Sequence, residues 1–451
     1  MQDFTSGSIL KKLLVFTLPM LIGALFQQMY GIVDAVVVGR FLGGGALAAV
    51  GISMTAFWFI ISMLFGLTTG ASVIISQLFG AKDNRELEKA VSTSVVLFFI
   101  ISVTLTIIGV VFTPTLLRLL NAPAEIFDDA ALYMRVQMGG LVFPMFFNMY
   151  TAYLRAIGNS RTPLYFLIFS TTFNGVLNVV LVVGLGFGLG AVAAGTVVSQ
   201  GIAAVLCYYY VKKHARIIHV KKLEFDTSLF GKILKYGTPA AFQLSLVTLA
   251  MLTITRLINT FGTEAMAGIT AAGRIDQMAI LPVSTLSMAL STFVAQNIGA
   301  GLEERAIKGL KTILLSMVLM AVGISAIVIL VGPWLISMFI DLNEAGAELI
   351  MQTGLDYLNI MVLFYFLFAI LFAFNGFYRG VGDAFIAMVF PVLSLTLRTL
   401  SAYGLVHFGG MGPEALGWSI PVGWSVTSLL SFVYFKKRLW VGKAVTKKSG
   451  T

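Results

Sequence analysis

The sequence has very little charge for its length. Only 11% of its 451 residues are charged, whereas a soluble domain averages about 25%. Hydrophobic residues make up 58% of the chain, and the mean hydropathy is +0.94. This balance excludes a soluble globular domain and places most of the chain in a lipid bilayer.

Cysteine and histidine are also scarce. Cys207 is the sole cysteine, which excludes an internal disulfide. With three histidines besides, we expect no catalytic metal site and no bound cofactor. The sequence contains no G-x-x-x-x-G-K-[ST] run, which argues against a P-loop nucleotide site.

Long apolar runs take the place of these features. A helix needs about 20 apolar residues to cross a bilayer, and the strands of a membrane barrel would alternate in hydrophobicity instead. We therefore predict an all-α polytopic membrane protein. Its twelve predicted transmembrane helices are Leu13–Phe41, Val50–Leu78, Val91–Val111, Tyr133–Ala152, Pro163–Gly184, Gly190–Tyr210, Thr238–Thr260, Met266–Ile298, Ile313–Leu335, Leu349–Tyr378, Ala384–His407 and Ala415–Tyr434.

Lysine and arginine are concentrated in alternate loops. They cluster near the N-terminus, in "AKDNRELEK" and "RAIGNSR", between Lys212 and Lys235, and after Lys436. Positively charged loops remain in the cytoplasm, so we predict a multi-pass protein of the cell membrane with both termini cytoplasmic. Topology thereby explains the net charge of +10, and we expect the lipid bilayer, not nucleic acid, as the charged partner.

The chain repeats itself. "KYGTPAAF" resembles "VFTLPMLI", "AQNIGAGLEERAIKG" resembles "SQLFGAKDNRELEKA", and "YRGVGDA" resembles "LRAIGNS", at offsets of 219 to 224 residues. Each half holds six predicted spans, so the halves are parallel repeats with a cleft expected between two pseudo-symmetric lobes. The predicted boundaries are an N-terminal lobe at 1–211, a cytoplasmic linker at 212–235, a C-terminal lobe at 236–436 and a basic cytoplasmic tail at 437–451. We expect this tail to lie against anionic lipid.

Five segments together resemble the multidrug and toxic compound extrusion (MATE) family. They are "QQMYGIVDAVVVGRFLGGGALAAVG", "SQLFGAK", "RAIGNSRTP", "YRGVGDA" and "LRTLSAYGL". The resemblance covers nearly all twelve spans. It implies a secondary antiporter, not an enzyme, that exports small amphipathic and often cationic compounds by alternating access in exchange for H⁺ or Na⁺. We further expect a monomer.

Asp34 is an acid inside the first predicted span. It lies nine residues before Gly43, or roughly 13 Å from the outer helix end at 1.5 Å per residue. A charge at such depth costs about 2.5–3.5 kcal/mol, and intramembrane acids are functional by default. Gln27 and Tyr30 share its helix face and can hydrogen-bond the carboxyl. The alternative is a neutral residue that joins helices.

The resemblance assigns further residues to this site. In the family, an acid of the first span and an Asn of the fifth span belong to the cation site. Asp34 and Asn178 match these two residues. Asn174 lies one turn from Asn178. Many members place an Asp four residues after that Asn, where this chain has Val182, and helix 7 contains no acid. Since Na⁺ requires several oxygen ligands, we predict H⁺ as the coupling ion and keep Na⁺ as the alternative.

Charged residues also occur within the spans of the second lobe. Asp276 and Arg398 both lie near the middle of their spans. We predict that Asp276 pairs with Arg398 or Arg256, because a pair relieves the burial of both charges. Arg274 is two positions from Asp276 and points away from it. A role of these residues in coupling or substrate binding is the alternative.

Candidate substrate contacts lie on the fourth and seventh predicted spans. Met145, Asn148 and Met149 share helix 4, and methionine surfaces repack around varied ligands. Gln243 on helix 7 offers a polar contact.

Two other functions fit parts of the sequence. A flippase for lipids or lipid-linked saccharides could share this architecture, but it should show a strongly cationic cavity. The run "GVGD" at 380–383 is similar to an intramembrane aspartyl protease motif. Asp383 lies at a helix end instead of mid-membrane, so we predict that it caps the following helix.

Overall fold

A computed structural model of the chain describes residues 2–220, 222–340 and 346–445. Within these ranges the protein is helical and contains no β-strand. The helices are α1 Ile9–Phe41, α2 Gly44–Ala81, α3 Asn84–Leu119, α4 Phe127–Gly139, α5 Val142–Ala156, α6 Arg161–Val179, α7 Leu189–His214, α8 Thr227–Ile258, α9 Thr263–Ala279, α10 Leu281–Gly299, α11 Glu303–Ser337, α12 Ala347–Leu363, α13 Tyr365–Val381, α14 Ala384–His407 and α15 Glu414–Lys436.

The helices match the predicted membrane spans in number and place. Ten stretches in the described part of the chain are long and apolar enough to cross a membrane, one of them formed by α9 and α10 together. Two further spans are bent pairs, α4 with α5 at 48° and α12 with α13 at 51°. Counting each pair as one span gives twelve, as predicted. The first bend falls at Gly139–Gly140, where glycines allow a helix to break.

Contacts divide the chain into two compact units. The first comprises Met1–Asp3 and Val15–Ala241, and the second comprises Phe4–Leu14 and Phe242–Thr451. Both α1 and α8 therefore contribute residues to each unit. The stretch predicted as a linker at 212–235 is largely helical at its ends, since α7 continues to His214 and α8 begins at Thr227. The Asp226 carboxylate caps α8 by accepting a hydrogen bond from Leu229 N over 2.9 Å.

The described part of the C-terminal tail packs on the protein. Trp440 is 2% exposed, and its ring lies 5.0 Å from that of Phe377. Arg438 forms an ion pair with Glu303. Trp440 therefore packs against the protein and not against lipid, whereas the contact of the exposed tail residues with anionic lipid stays a prediction. Residues 446–451 lie outside the described ranges.

Close helix packing in the second unit depends on a glycine pair. Gly376 and Gly380 lie one turn apart on α13, and a Cβ at either would collide with a carbonyl oxygen of α10, that of Ser287 or Ser291. Ser287 Oγ donates to Phe372 O across the same contact, over 2.6 Å. Small residues at this spacing let two membrane helices approach closely.

We expect Gly376→Leu to separate α13 from α10 and to destabilise the protein by about 1–3 kcal/mol, the usual cost of overpacking. Thermal unfolding in detergent measures the loss. Gly404→Leu is the matched control, because a Cβ at Gly404 has no neighbour within 4 Å. Equal melting temperatures for the two variants would contradict the packing argument.

Candidate functional site

Asp34 is buried in α1 and held by α6. Its side chain is 3% exposed, and Asn178 Nδ2 donates to its Oδ1 over 2.7 Å. Asn178 itself is fully buried. Because Asn178 lies at the end of α6, this one hydrogen bond joins two helices inside the membrane. The predicted association of Asp34 with Asn178 is present in the structure.

Asn174 and Tyr30 complete the polar shell of the carboxyl. With its amide nitrogen facing the carboxyl, Asn174 donates to Asp34 Oδ1 over 3.0 Å, and its oxygen accepts from the Tyr30 hydroxyl over 3.2 Å. Tyr30 thus acts through Asn174 and does not bind the carboxyl directly. Gln27 forms no hydrogen bond to Asp34 among the described residues, although both line the same cavity.

Helix α7 contributes residues that the sequence did not reveal. The backbone N–H of Thr196 donates to the Asn174 oxygen over 3.2 Å, and its hydroxyl donates to Val192 O over 3.2 Å. A Cβ at Gly195 would collide with Asn178 Oδ1. The small residues of "GAVAAGT" were the available signal, since they permit close helix approach.

Two buried acceptor atoms in this site remain without a donor. Asp34 Oδ2 and Asn178 Oδ1 accept no hydrogen bond from any described residue. A buried acceptor without a partner is costly. A proton on the carboxyl would turn Oδ2 into a donor, and a cation would bind both oxygens.

The site opens onto a cavity within the first unit. Its volume is about 340 Å³, within the usual range of small-molecule sites. Side chains of α2 form an apolar wall, whereas the polar lining comes from α1 and from α4 to α7. The apolar members on α2 are Val50, Met54, Phe57, Trp58, Ile61 and Phe65. The polar members are Gln27, Gln28, Tyr30, Asp34, Gln137, Asn148, Thr151, Arg155, Ser170, Thr196 and Gln200.

Of the three candidate substrate contacts on α5, only Asn148 lines the cavity. Asn148 lines the cavity, and its amide donates to Pro144 O over 2.8 Å. Met145 and Met149 are 2% and 0% exposed and do not line this cavity. They face the packed side of α5, so their predicted place in the cavity wall was wrong. Gln243 is half-buried in α8, and its role stays a prediction.

Two charged residues of the second unit each form a hydrogen bond with a tyrosine hydroxyl. Asp276 Oδ1 accepts from the Tyr365 hydroxyl over 2.8 Å, and Arg398 Nη2 donates to the Tyr357 hydroxyl over 3.1 Å. Neither Arg398 nor Arg256 forms an ion pair with Asp276 within the described ranges. The predicted direct pair was therefore wrong. Each charged group instead bonds a tyrosine hydroxyl, and Arg398 Nε donates no hydrogen bond to any described residue.

The remaining predicted residues have simpler environments. Arg256 and Arg274 are exposed. Asp383 accepts from Ile386 N over 3.5 Å at the start of α14 and from the Tyr434 hydroxyl over 2.6 Å. The prediction that Asp383 caps this helix is confirmed.

A multi-span helical protein with a buried carboxyl on the wall of a cavity has the features of a membrane transporter. The MatE family model matches residues 19–180 and again 239–403. The chain therefore belongs to the MatE family, that of the multidrug and toxic compound extrusion transporters. The two matches begin at Pro19 and Pro239, the prolines that the internal repeat aligns.

Curated relatives and solved structures agree with this assignment. The chain is 28% identical over 444 residues to the probable multidrug resistance protein YpnP of Bacillus subtilis, covering 97% of each chain. It is 28% identical to the probable multidrug resistance protein YoeA of the same organism, covering 99% of this chain and 97% of the relative. An outward-facing multidrug resistance MATE transporter of the MOP superfamily has the same fold, with a TM-score of 0.89 at 23% identity and 97% coverage of both chains.

We expect Gly195→Ala to displace the Asn178 amide and to destabilise the protein by about 1–3 kcal/mol. Asn178→Ala should be destabilising too, since it removes the donor to Asp34. The double variant should cost less than the sum, because a small side chain at 178 leaves room for the new methyl group. Thermal unfolding of the four proteins tests this. Additive losses would contradict the contact, and Gly51→Ala on α2, where a Cβ meets no neighbour within 4 Å, is the control.

Proposed function

We propose that the protein exports amphipathic, mainly cationic organic compounds in exchange for protons bound at Asp34. The observation that carries the proposal is the environment of this carboxyl. Asp34 is buried, two asparagines of α6 lie beside Oδ1, and Oδ2 has no donor among the described residues. Such a group can take up one proton without any change in its neighbours.

The ligands available at Asp34 support H⁺ over Na⁺. Sodium, like other hard cations, is bound by several oxygens. Here Val182, 6% exposed, stands where many family members carry a second carboxylate. Among the described residues, no three His, Cys, Asp or Glu side chains are grouped as cation ligands. One carboxyl with two amides suits a proton better than a cation that must lose its water shell.

The exchange of a cationic substrate for a proton follows from the negative charge of Asp34 on the cavity wall. With Asp34 ionised, the carboxylate attracts a cationic substrate into a cavity whose opposite wall is apolar. Protonation removes that attraction, so proton binding and substrate binding oppose one another. The lone buried acid of this cavity thus couples the two without any direct contact between substrate and proton. Alternating access then gives net export.

The flippase alternative has less support. A lipid-linked pyrophosphate carries several negative charges and needs a cluster of cations. The lining of the cavity in the first unit includes a single arginine, Arg155, and one acid, Asp34. This lining suits a compound of small or mixed charge.

Asp34→Asn should fold and bind lipid normally but abolish efflux driven by a pH gradient, because an amide cannot exchange a proton. Ethidium or norfloxacin efflux from proteoliposomes measures this, first under a pH gradient alone and then under a Na⁺ gradient alone. Asp356→Asn, an exposed acid on α12, is the control and should transport normally. Undiminished pH-driven efflux by Asp34→Asn would falsify the proposal. Efflux under the Na⁺ gradient alone would overturn its proton part.

The proposed direction of transport also requires the cytoplasmic placement of both termini. Green fluorescent protein fused to the C-terminus should fluoresce, whereas alkaline phosphatase fused there should be inactive, because the enzyme needs an oxidising compartment. The same two reporters inserted after Gly43, in the first predicted outer loop, should give the opposite pattern. An active phosphatase at the C-terminus would reverse the assigned topology.

A further inference from the structure

Arg155 is a cation on the cavity wall that has no ionic partner in the described part of the chain. It lies in the last turn of α5 and lines the cavity described above. Its Nε is buried and donates no hydrogen bond, and no ion pair joins its guanidinium to an acid among the described residues. A buried charge without a partner is costly. The sequence placed Arg155 in a cytoplasmic loop, whereas the structure places it in the last turn of α5, on the cavity wall. There it attracts anionic groups that enter the cavity.

The internal repeat supplies a comparison for this arginine. Aligning "LRAIGNS" with "YRGVGDA" places Arg155 on Arg379. Arg379 Nη2 donates to Asn375 Oδ1, one turn earlier on α13, over 3.0 Å. Arg155 has Thr151 at the corresponding place, and Thr151 Oγ1 is also buried without a partner. The protein therefore satisfies one copy of this arginine internally and leaves the other copy open to the cavity.

Arg155 and Thr151 form one polar patch. They are four residues apart, so they lie on the same face of α5, and both line the cavity. A guanidinium fork matches the geometry of a carboxylate or phosphate, and a hydroxyl adds a further donor. This donor set has the chemistry of an oxyanion site.

The patch lies toward the opposite end of the cavity from Asp34. Helix α6 begins at Arg161, six residues after Arg155, whereas Asn178, which holds Asp34, lies at the other end of this helix. At 1.5 Å per residue, α6 places its two ends roughly 25 Å apart. Groups of opposite charge therefore lie toward the two ends of the cavity, and an anionic group of a ligand can bind at Arg155 without reaching Asp34.

Building on the proposed export function, we propose that Arg155 and Thr151 form an oxyanion-binding subsite. It takes the carboxylate or phosphate of an amphipathic ligand bound in this cavity. Among the exported compounds, those that carry such an anionic group are then bound more tightly than those that lack it.

Equilibrium binding to the purified protein in detergent tests the subsite without any ion gradient. The probes are norfloxacin, which carries a carboxylate, its ethyl ester, which does not, and ethidium. We expect the wild type to bind the acid more tightly than the ester. Arg155→Gln should weaken binding of the acid by about tenfold or more, as for a lost charge-assisted hydrogen bond. Binding of the ester and of ethidium should not change, which also shows that the variant is folded.

Arg161→Gln is the matched control, because Arg161 is exposed and does not line the cavity. It should bind all three probes like the wild type. Equal weakening of acid and ester by Arg155→Gln, or no preference for the acid in the wild type, would overturn a carboxylate subsite.

Native mass spectrometry tests whether a lipid phosphate occupies the subsite. Loss of a co-purifying anionic phospholipid in Arg155→Gln alone supports the subsite with a lipid phosphate as its occupant.

These outcomes are independent of the exchange proposal. If Arg155→Gln leaves binding of the acid unchanged while Asp34→Asn abolishes pH-driven efflux, the subsite is wrong and the antiport stands. If the preference for the acid depends on Arg155 but no gradient drives efflux, the subsite stands and the antiport proposal is wrong.

Discussion

The hydrogen bond from Asn178 to Asp34 is the interaction on which the first unit depends. A carboxyl inside a membrane span is tolerated when the protein satisfies it. Helix α6 does so with two amides, α1 adds Tyr30 behind one of them, and Gly195 lets α7 lie against the other. Because these groups share partners, a change in one affects the rest. The same arrangement leaves one carboxyl oxygen available for a proton.

The two halves of the chain are alike in fold and unlike in chemistry. The repeat aligns Asp34 with Ile254, and the register of "LRAIGNS" with "YRGVGDA" places Arg398 on Asn174. The second unit therefore has no acid at the position of Asp34. Its own charged groups, Asp276 and Arg398, each form a hydrogen bond with a tyrosine hydroxyl. The two repeats therefore share their helices and differ in the polar residues that these helices carry.

Features that depend on local composition could be predicted from the sequence. Span number, repeat and family followed from hydropathy and motif order, and the cap at Asp383 from its place before α14. Features that depend on helix rotation were predicted less well. Asn148 faces the cavity whereas Met145 and Met149 do not, and spacing along a helix cannot show which side faces a neighbour. The bend at Phe364 involves neither glycine nor proline, so no residue signalled it.

The sequence by itself determined that this protein lies in a membrane, that it repeats one six-span half, and that Asp34 is an acid within a span; the family resemblance added Asn178 as its partner. Hydropathy and charge are properties of single residues and short runs, so these conclusions need no packing. The tertiary structure decided which polar groups meet: Thr196 and Gly195 beside the asparagines, Tyr365 on Asp276, and Arg155 on the cavity wall. Each of these contacts depends on the rotation of every helix about its axis, which is fixed when all the helices pack together.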